Sequence, residues 1–197
     1  CAGHASPSSE SSVAFRRSQS APGRITLSPG SIRSARDVPA RLVLPSPNGS
    51  TIAEALAATP VLAAASLRTA TAIAHWIART AGPDDSVAVI AAGERWPDGS
   101  LRPAVEDFWG AGAVVAALAA VGRLLDPSPE ADAALAAWTA VAGDPSTALH
   151  DCSSGQELIA LGFEDDVAVA AEVGESTCVP ILRQGIFVDS ATAGLSA

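Results

Sequence analysis

Apolar and polar positions along this chain repeat one theme: a short apolar run, a turn, and then a longer stretch with helical period. Leu42-Val43-Leu44 predicts a buried strand, Pro45 to Gly49 a turn, and Ser50 to Ala58 a helix. A second unit places a strand at Val61 to Ala65 and a helix from Leu67 to Ala81, stopped by Gly82-Pro83. A third places a strand at Ser86 to Ala92, a loop from Gly93 to Arg102, and a helix opened by Pro103 that runs to about Leu125. Asp126-Pro127-Ser128-Pro129 then breaks the chain before a helix from Glu130 to Val141. Ser154 and Glu157 have the spacing of a capping box, which opens a helix to Leu161 with Gly162 as its stop. Asp166 to Glu172 and Val179 to Val188 are the last strand candidates.

Strands alternating with helices predict an α/β fold, a three-layer sandwich in which a largely parallel or mixed sheet has helices on both faces. Ligands of such sheets bind outside the carboxyl ends of the strands, so the loops at 45–51, 66–69 and 93–107 are expected to share one rim. Residues 1–38 are rich in Ser, Pro, Gly and Arg without a sustained apolar period and read as an irregular N-terminal segment, with a short strand at Arg24 to Leu27. Residues 39–197 read as a single α/β domain.

Composition narrows the classes. With 197 residues, 48% of them hydrophobic, the chain can bury one substantial core, and aromatics at only 4% leave the packing to small side chains. A net charge of -9 disfavours nucleic acid as the main partner, because that binding depends on Lys and Arg displacing counterions. A small anionic substrate is compatible with it, since local arginines, backbone N–H groups and a metal overcome a global charge. The three cysteines form no CxxC pair, so neither a disulfide framework nor a structural zinc is expected, and a reducing cytoplasm is the simpler compartment. The longest apolar stretch, Ala111 to Val121, is too short to span a bilayer, so no membrane partner is expected. There is no methionine, so residue 1 is not a translation start. Two readings of that fact stand side by side: a processed lipoprotein, with Cys1 followed by the Ser-rich run Ser6 to Ser12, and a domain whose start was cut away.

Candidate chemistry gathers in the predicted loops. Asn48, Gly49, Ser50 and Thr51 join a strand to a helix start, where free N–H groups and two hydroxyls suit a phosphate or sulfonate. The plainer reading of the same residues is a turn and a cap. Arg68 follows the second strand, where its guanidinium could clamp an oxyanion or simply lie on the surface. In the third loop Glu94 stands at a strand end, while Glu106 and Asp107 head small or apolar stripes of one helix. Hard oxygen ligands of this kind suit Mg²⁺, with Glu94 and Glu106 as metal ligands and Asp107 as orienting group or base. The bland alternative has the two helix acids merely favouring the helix dipole and Glu94 paired with Arg95 or Arg102. His75 reads as a packing or surface residue, and Cys152 as a buried thiol.

Leu44 to Thr51 (LPSPNGST), Ser66 to Ala70 (SLRTA), Ala91 to Trp96 (AAGERW), Asp98 to Gly112 (DGSLRPAVEDFWGAG) and Asp151 to Leu158 (DCSSGQEL) together resemble the motifs of 2-phosphosulfolactate phosphatases. The resemblance runs in order over roughly residues 40–188, and nothing before residue 40 matches the family's Asp-Val-Leu-Arg-like N-terminal motif. It implies Mg²⁺-dependent hydrolysis of 2-phospho-3-sulfolactate to 3-sulfolactate and phosphate, a step of coenzyme M biosynthesis, and it implies a homo-oligomer. The alternative function is a non-catalytic anion-binding domain, or a truncated and inactive family member.

Overall fold

The structure, a computed structural model, describes residues 25–44, 46–123 and 126–194. Cys1, the run Ser6 to Ser12, Arg24, and the far end of the long helix at 124–125 lie outside the described residues. The chain divides into two units between Ser46 and Pro47.

In the first unit the described residues form one short helix, α1 (Pro29–Arg33). Ser28 caps it by accepting from the Ser31 N–H at 3.2 Å, and Pro29 follows in the first turn, where its missing N–H costs nothing. Residues 25–27, expected to belong to a strand, are irregular, and Pro29-Gly30 opens a helix instead of closing a turn.

The second unit is mostly helical, and this corrects the expected parallel sandwich. Its described residues form α2 (Pro47–Ala55), α3 (Ala70–Thr80), α4 (Val105–Ala120), α5 (Pro129–Val141), α6 (Pro145–Asp151), α7 (Ser153–Ala160) and α8 (Glu164–Ala170). Its strands are β1 (Glu94–Arg95) with β2 (Leu101–Arg102), and β3 (Pro180–Arg183) with β4 (Ile186–Asp189), two small antiparallel pairs. No parallel pairing occurs among the described residues. Val61 to Ala65 is extended, but it meets the β3–β4 hairpin antiparallel: Ala64 N–H donates to Pro180 O at 2.9 Å, and Leu182 N–H to Leu62 O at 2.8 Å. Ser86 to Ala92 is assigned to no strand, with Val87 and Ile90 about half exposed.

The physical reason is that a run of four to seven apolar residues specifies extended backbone only if a neighbouring strand supplies the other half of the ladder. Asp166 to Glu172 shows the converse. Glu164, Asp165 and Asp166 sit in the first turn of α8, where the helix dipole favours anions, and Val167 and Val169 are buried. The expected strand is therefore a helix. Val179 to Val188 does form strand, folded back on itself at Gln184-Gly185, both with positive φ as a two-residue hairpin turn demands.

The helices held closer to expectation. α3, α4 and α5 lie within the predicted segments to a few residues at each end. The core is built on them: Leu67, Ala70, Ala74, Ala113, Val114, Leu118, Trp138, Leu149 and Val167 form one buried cluster. A smaller cluster of Ile73, Trp76, Val179 and Ile181 seats the β3–β4 hairpin against α3. Gly112 sets the closeness of α4 and α5, because a Cβ there would lie 2.0 Å from the Ala134 carbonyl oxygen and 2.7 Å from Trp138 Cβ. Small residues on α4 and α5 thus substitute close backbone approach for large side chains.

Candidate active site

The site is built where the start of α2, the β1–β2 hairpin and the start of α4 converge. Pro47 takes the first position of α2, so the helix begins three residues earlier than expected and Asn48-Gly49 lies within its first turn. Asn48 donates from Nδ2 to Glu94 Oε2 at 2.9 Å, and Asn48 Oδ1 is buried with no hydrogen-bond partner. Asn48, Ile52, Ala92, Glu94, Arg95 and Leu101 line a shallow open cleft.

Gly93 turns the chain into β1 with φ 67, and a side chain there would press Leu101 Cδ1 at 3.0 Å. Its backbone faces the carboxylate of Asp107 and favours the charged form. Burial raises the pKa of Asp107 to about 6, with the negative charges of Glu106 and Glu94 adding to the effect and the Gly93 backbone opposing it. Glu94, 13 residues earlier in sequence, and Glu106 therefore both act on Asp107 in space. Glu94 is exposed, while Glu106 and Asp107 are half-buried in the first turn of α4.

The hairpin is fixed on its other side. Arg102, the cross-strand partner of Glu94, grips Glu157 of α7 through Nη2 to Oε1 at 2.6 Å and Nη1 to Oε2 at 3.1 Å, and its guanidinium lies 5.1 Å from the Trp96 ring centre. Arg95 donates to the Gly99 carbonyl at 2.9 Å within the hairpin turn. Glu94 is thus hydrogen-bonded by Asn48, and the arginine opposite it turns to Glu157.

Other candidates are placed elsewhere or given ordinary roles. Arg68 is ion-paired with Glu172, and its carbonyl accepts from Ser176 N–H at 3.0 Å, so the guanidinium proposed as an oxyanion clamp has a carboxylate partner. Ser50 and Thr51 are exposed on α2, past the helix start, so neither is the cap that the sequence suggested. His75 is exposed on α3. Cys152 is buried, as expected, and caps α7: its thiol donates to Leu149 O at 3.2 Å and accepts from Gly155 N–H at 3.4 Å. Sequence reasoning missed the Arg102–Glu157 pair, for which the only signal was an arginine at the end of the predicted loop Gly93 to Arg102. It also missed Ile52 and Leu101, whose apolar side chains line the cleft.

Among the described residues no three His, Cys, Asp or Glu side chains come together as a metal cluster. A Mg²⁺ ion needs less, since it takes one or two carboxylates and keeps several waters. An all-oxygen set with an unpartnered buried carbonyl oxygen beside a carboxylate fits a hydrated ion of that kind. It does not fit an ion caged by protein ligands.

Comparison with known proteins gives the class first: the matching sequences are phosphatases, a class of hydrolases. The profile described as 2-phosphosulpholactate phosphatase matches residues 16–185, and the chain belongs to that family. The match begins upstream of residue 40, so the family likeness includes part of the segment that the sequence reading set apart. A curated relative, "Probable 2-phosphosulfolactate phosphatase" of Parasynechococcus marenigrum (strain WH8102), is 30% identical over 142 residues. That alignment covers 71% of this chain and 56% of the relative, so the chain spans little more than half the relative's length. No helix among the described residues is long and apolar enough to cross a membrane.

Proposed function

We propose that the cleft at Asn48 and Glu94 is the phosphate-ester site of a phosphatase whose substrate is 2-phospho-3-sulfolactate, giving 3-sulfolactate and phosphate. The observation that supports this reading most is the joining of two family-motif segments, LPSPNGST and AAGERW, by the Asn48–Glu94 hydrogen bond across 46 positions of sequence.

Glu94 and Glu106 would hold Mg²⁺, with Asn48 Oδ1 as a further oxygen donor. When bound, the ion supplies positive charge beside the phosphate and offsets the charge of the departing oxygen. The chain's own groups then have distinct tasks. The free N–H groups of Asn48 and Gly49 in the first turn of α2, with the Ser50 and Thr51 hydroxyls, orient the anionic oxygens of the substrate. Asp107, facing the Gly93 backbone, accepts the proton of the attacking water. As the water oxygen bonds to phosphorus, the bond from phosphorus to the lactate oxygen breaks, that oxygen takes a proton from solvent, and Asp107 returns to solvent the one it accepted. Ile52 and Leu101 exclude water from one wall of the cleft.

The test is phosphate release from 2-phosphosulfolactate by the full-length gene product. Release that requires Mg²⁺ and stops with EDTA is expected. Binding of the substrate without any release would leave an anion-binding domain and overturn the enzymatic reading.

A further inference from the structure

We propose that Arg102 is a positioning residue of this site, a clamp that fixes the strand carrying Glu94 by holding Glu157 of α7 and stacking on Trp96. The inference rests on the functional reading above, and it assigns a task to residues which that reading leaves idle.

The β1–β2 ladder is only two residues long on each strand, which is too short to be rigid by itself. Its turn is closed by two backbone bonds, Trp96 N–H to Ser100 O at 2.9 Å and Gly99 N–H to Trp96 O at 2.8 Å. Asp98 adds an accepted hydrogen bond from Ser100 Oγ at 2.6 Å. All of these lie inside the hairpin, so none of them orients it against the helices. Two side-chain anchors do: Asn48 to Glu94 on one strand, and Arg102 to Glu157 on the other. Since Glu94 and Arg102 are direct cross-strand partners, the two anchors meet at one rung of the ladder. Fixing Arg102 therefore fixes the backbone from which the Glu94 carboxylate projects.

Arg102 is built for this task more than for touching substrate. Both terminal nitrogens of its guanidinium are engaged by the two oxygens of Glu157, and one face of the plane is covered by Trp96. Its side chain is 20% exposed, against 57% for Glu157. An isolated surface ion pair contributes little, but a two-point pair with a stacked face has the geometry in which the contribution is real and directional. Electrostatics agree: the Arg102 pKa is raised, chiefly by the Glu157 hydrogen bond and also by Glu94 and Glu106, so the cation also offsets part of the repulsion among the acids.

The experiment uses the full-length protein and compares Arg102→Lys, Glu157→Gln and the double variant. Steady-state hydrolysis of 2-phosphosulfolactate, hydrogen exchange of the 94–102 amides and melting temperature are measured on each. Arg102→Lys keeps the charge and loses the fork; Glu157→Gln keeps the shape and loses the charge. A clamp predicts that each lowers kcat about tenfold, the scale of losing an orienting partner, with KM little changed. It also predicts that the double variant is no worse than either single one, that hairpin exchange quickens in all three, and that melting is unaltered. Full kcat in Glu157→Gln, or losses that multiply in the double variant, would show that Arg102 acts by its own charge and would overturn the clamp. Unchanged hairpin exchange in Glu157→Gln overturns it whether or not the wild type turns over substrate. A wild type inert toward 2-phosphosulfolactate, with hairpin exchange that still responds to Glu157→Gln, overturns the functional reading and leaves the mechanical clamp standing.

Discussion

Asn48 and Glu94 are ordinary polar residues in sequence, and their meaning comes from one hydrogen bond and one unpartnered oxygen. Glu94→Gln retains an oxygen that can accept from Asn48 while removing the charge that a cation needs. Mg²⁺ affinity measured by calorimetry should fall at least about tenfold, the equivalent of ~1.4 kcal/mol, with the melting temperature unaltered. Equal affinity in the two proteins would remove Glu94 from the metal set. Gly93 makes a different demand. A side chain at its positive φ costs about 1 kcal/mol or more and also meets Leu101. Gly93→Ala should therefore lower turnover by displacing both Glu94 and the backbone that faces Asp107. Wild-type kcat in that variant would show that the turn tolerates movement and that Asp107 does not depend on it.

Among the elements, α4 has the most specific packing. Gly110 and Gly112 stand one residue apart on the same helix, yet only Gly112 faces the backbone of α5, while nothing lies within 4 Å of a Cβ built at Gly110. Gly112→Ala should cost ~3 kcal/mol, the upper part of the usual overpacking range, since the obstacle is main chain that cannot rotate away. Gly110→Ala should be neutral or stabilising by up to ~1 kcal/mol from helix propensity alone. Urea denaturation reads both as shifts of midpoint at constant slope. Similar shifts in the two variants would mean that α4 and α5 do not meet as closely as described. The same close approach explains how a chain with four tryptophans, four phenylalanines and no tyrosine forms a core.

For the whole molecule, ligand binding and stability are linked. If Mg²⁺ binds the folded state through Glu94 and Glu106, the melting temperature should rise with the ion, and EDTA should reverse the rise. At a free concentration one hundred times Kd the gain is about 2.7 kcal/mol. Glu94→Gln should show little of it. A rise of equal size in that variant would place the ion elsewhere on this acidic chain, whose net charge is -9. The small-residue helix faces also permit contacts between subunits, and light scattering of the full-length protein at micromolar concentration should report a species larger than the monomer. A clean monomer removes the oligomer proposal.

Sequence alone determined the features that depend on near neighbours. The long helices α3, α4 and α5 were legible because their periodicity spans several turns and Pro or Gly marks their ends. The family was legible because motif segments recur in order, and that likeness does not require knowing how the segments meet. Cys152 as a buried thiol was legible from its lack of a plausible partner. Only the tertiary structure decided the features that depend on distant pairing. The apolar runs at 61–65 and 86–92 look alike locally, yet the first meets the β3–β4 hairpin and the second is in no strand, because pairing requires a partner that no local window contains. Asp166 to Glu172 was a strand candidate, and Glu164, Asp165 and Asp166 in the first turn of α8 together with burial of two valines decided for helix. Arg102 could have paired with Glu94, which faces it across the hairpin, or with Glu157, 55 positions away. The choice of Glu157 was made by where α7 packs, because an ion pair forms with whichever carboxylate the fold brings within reach.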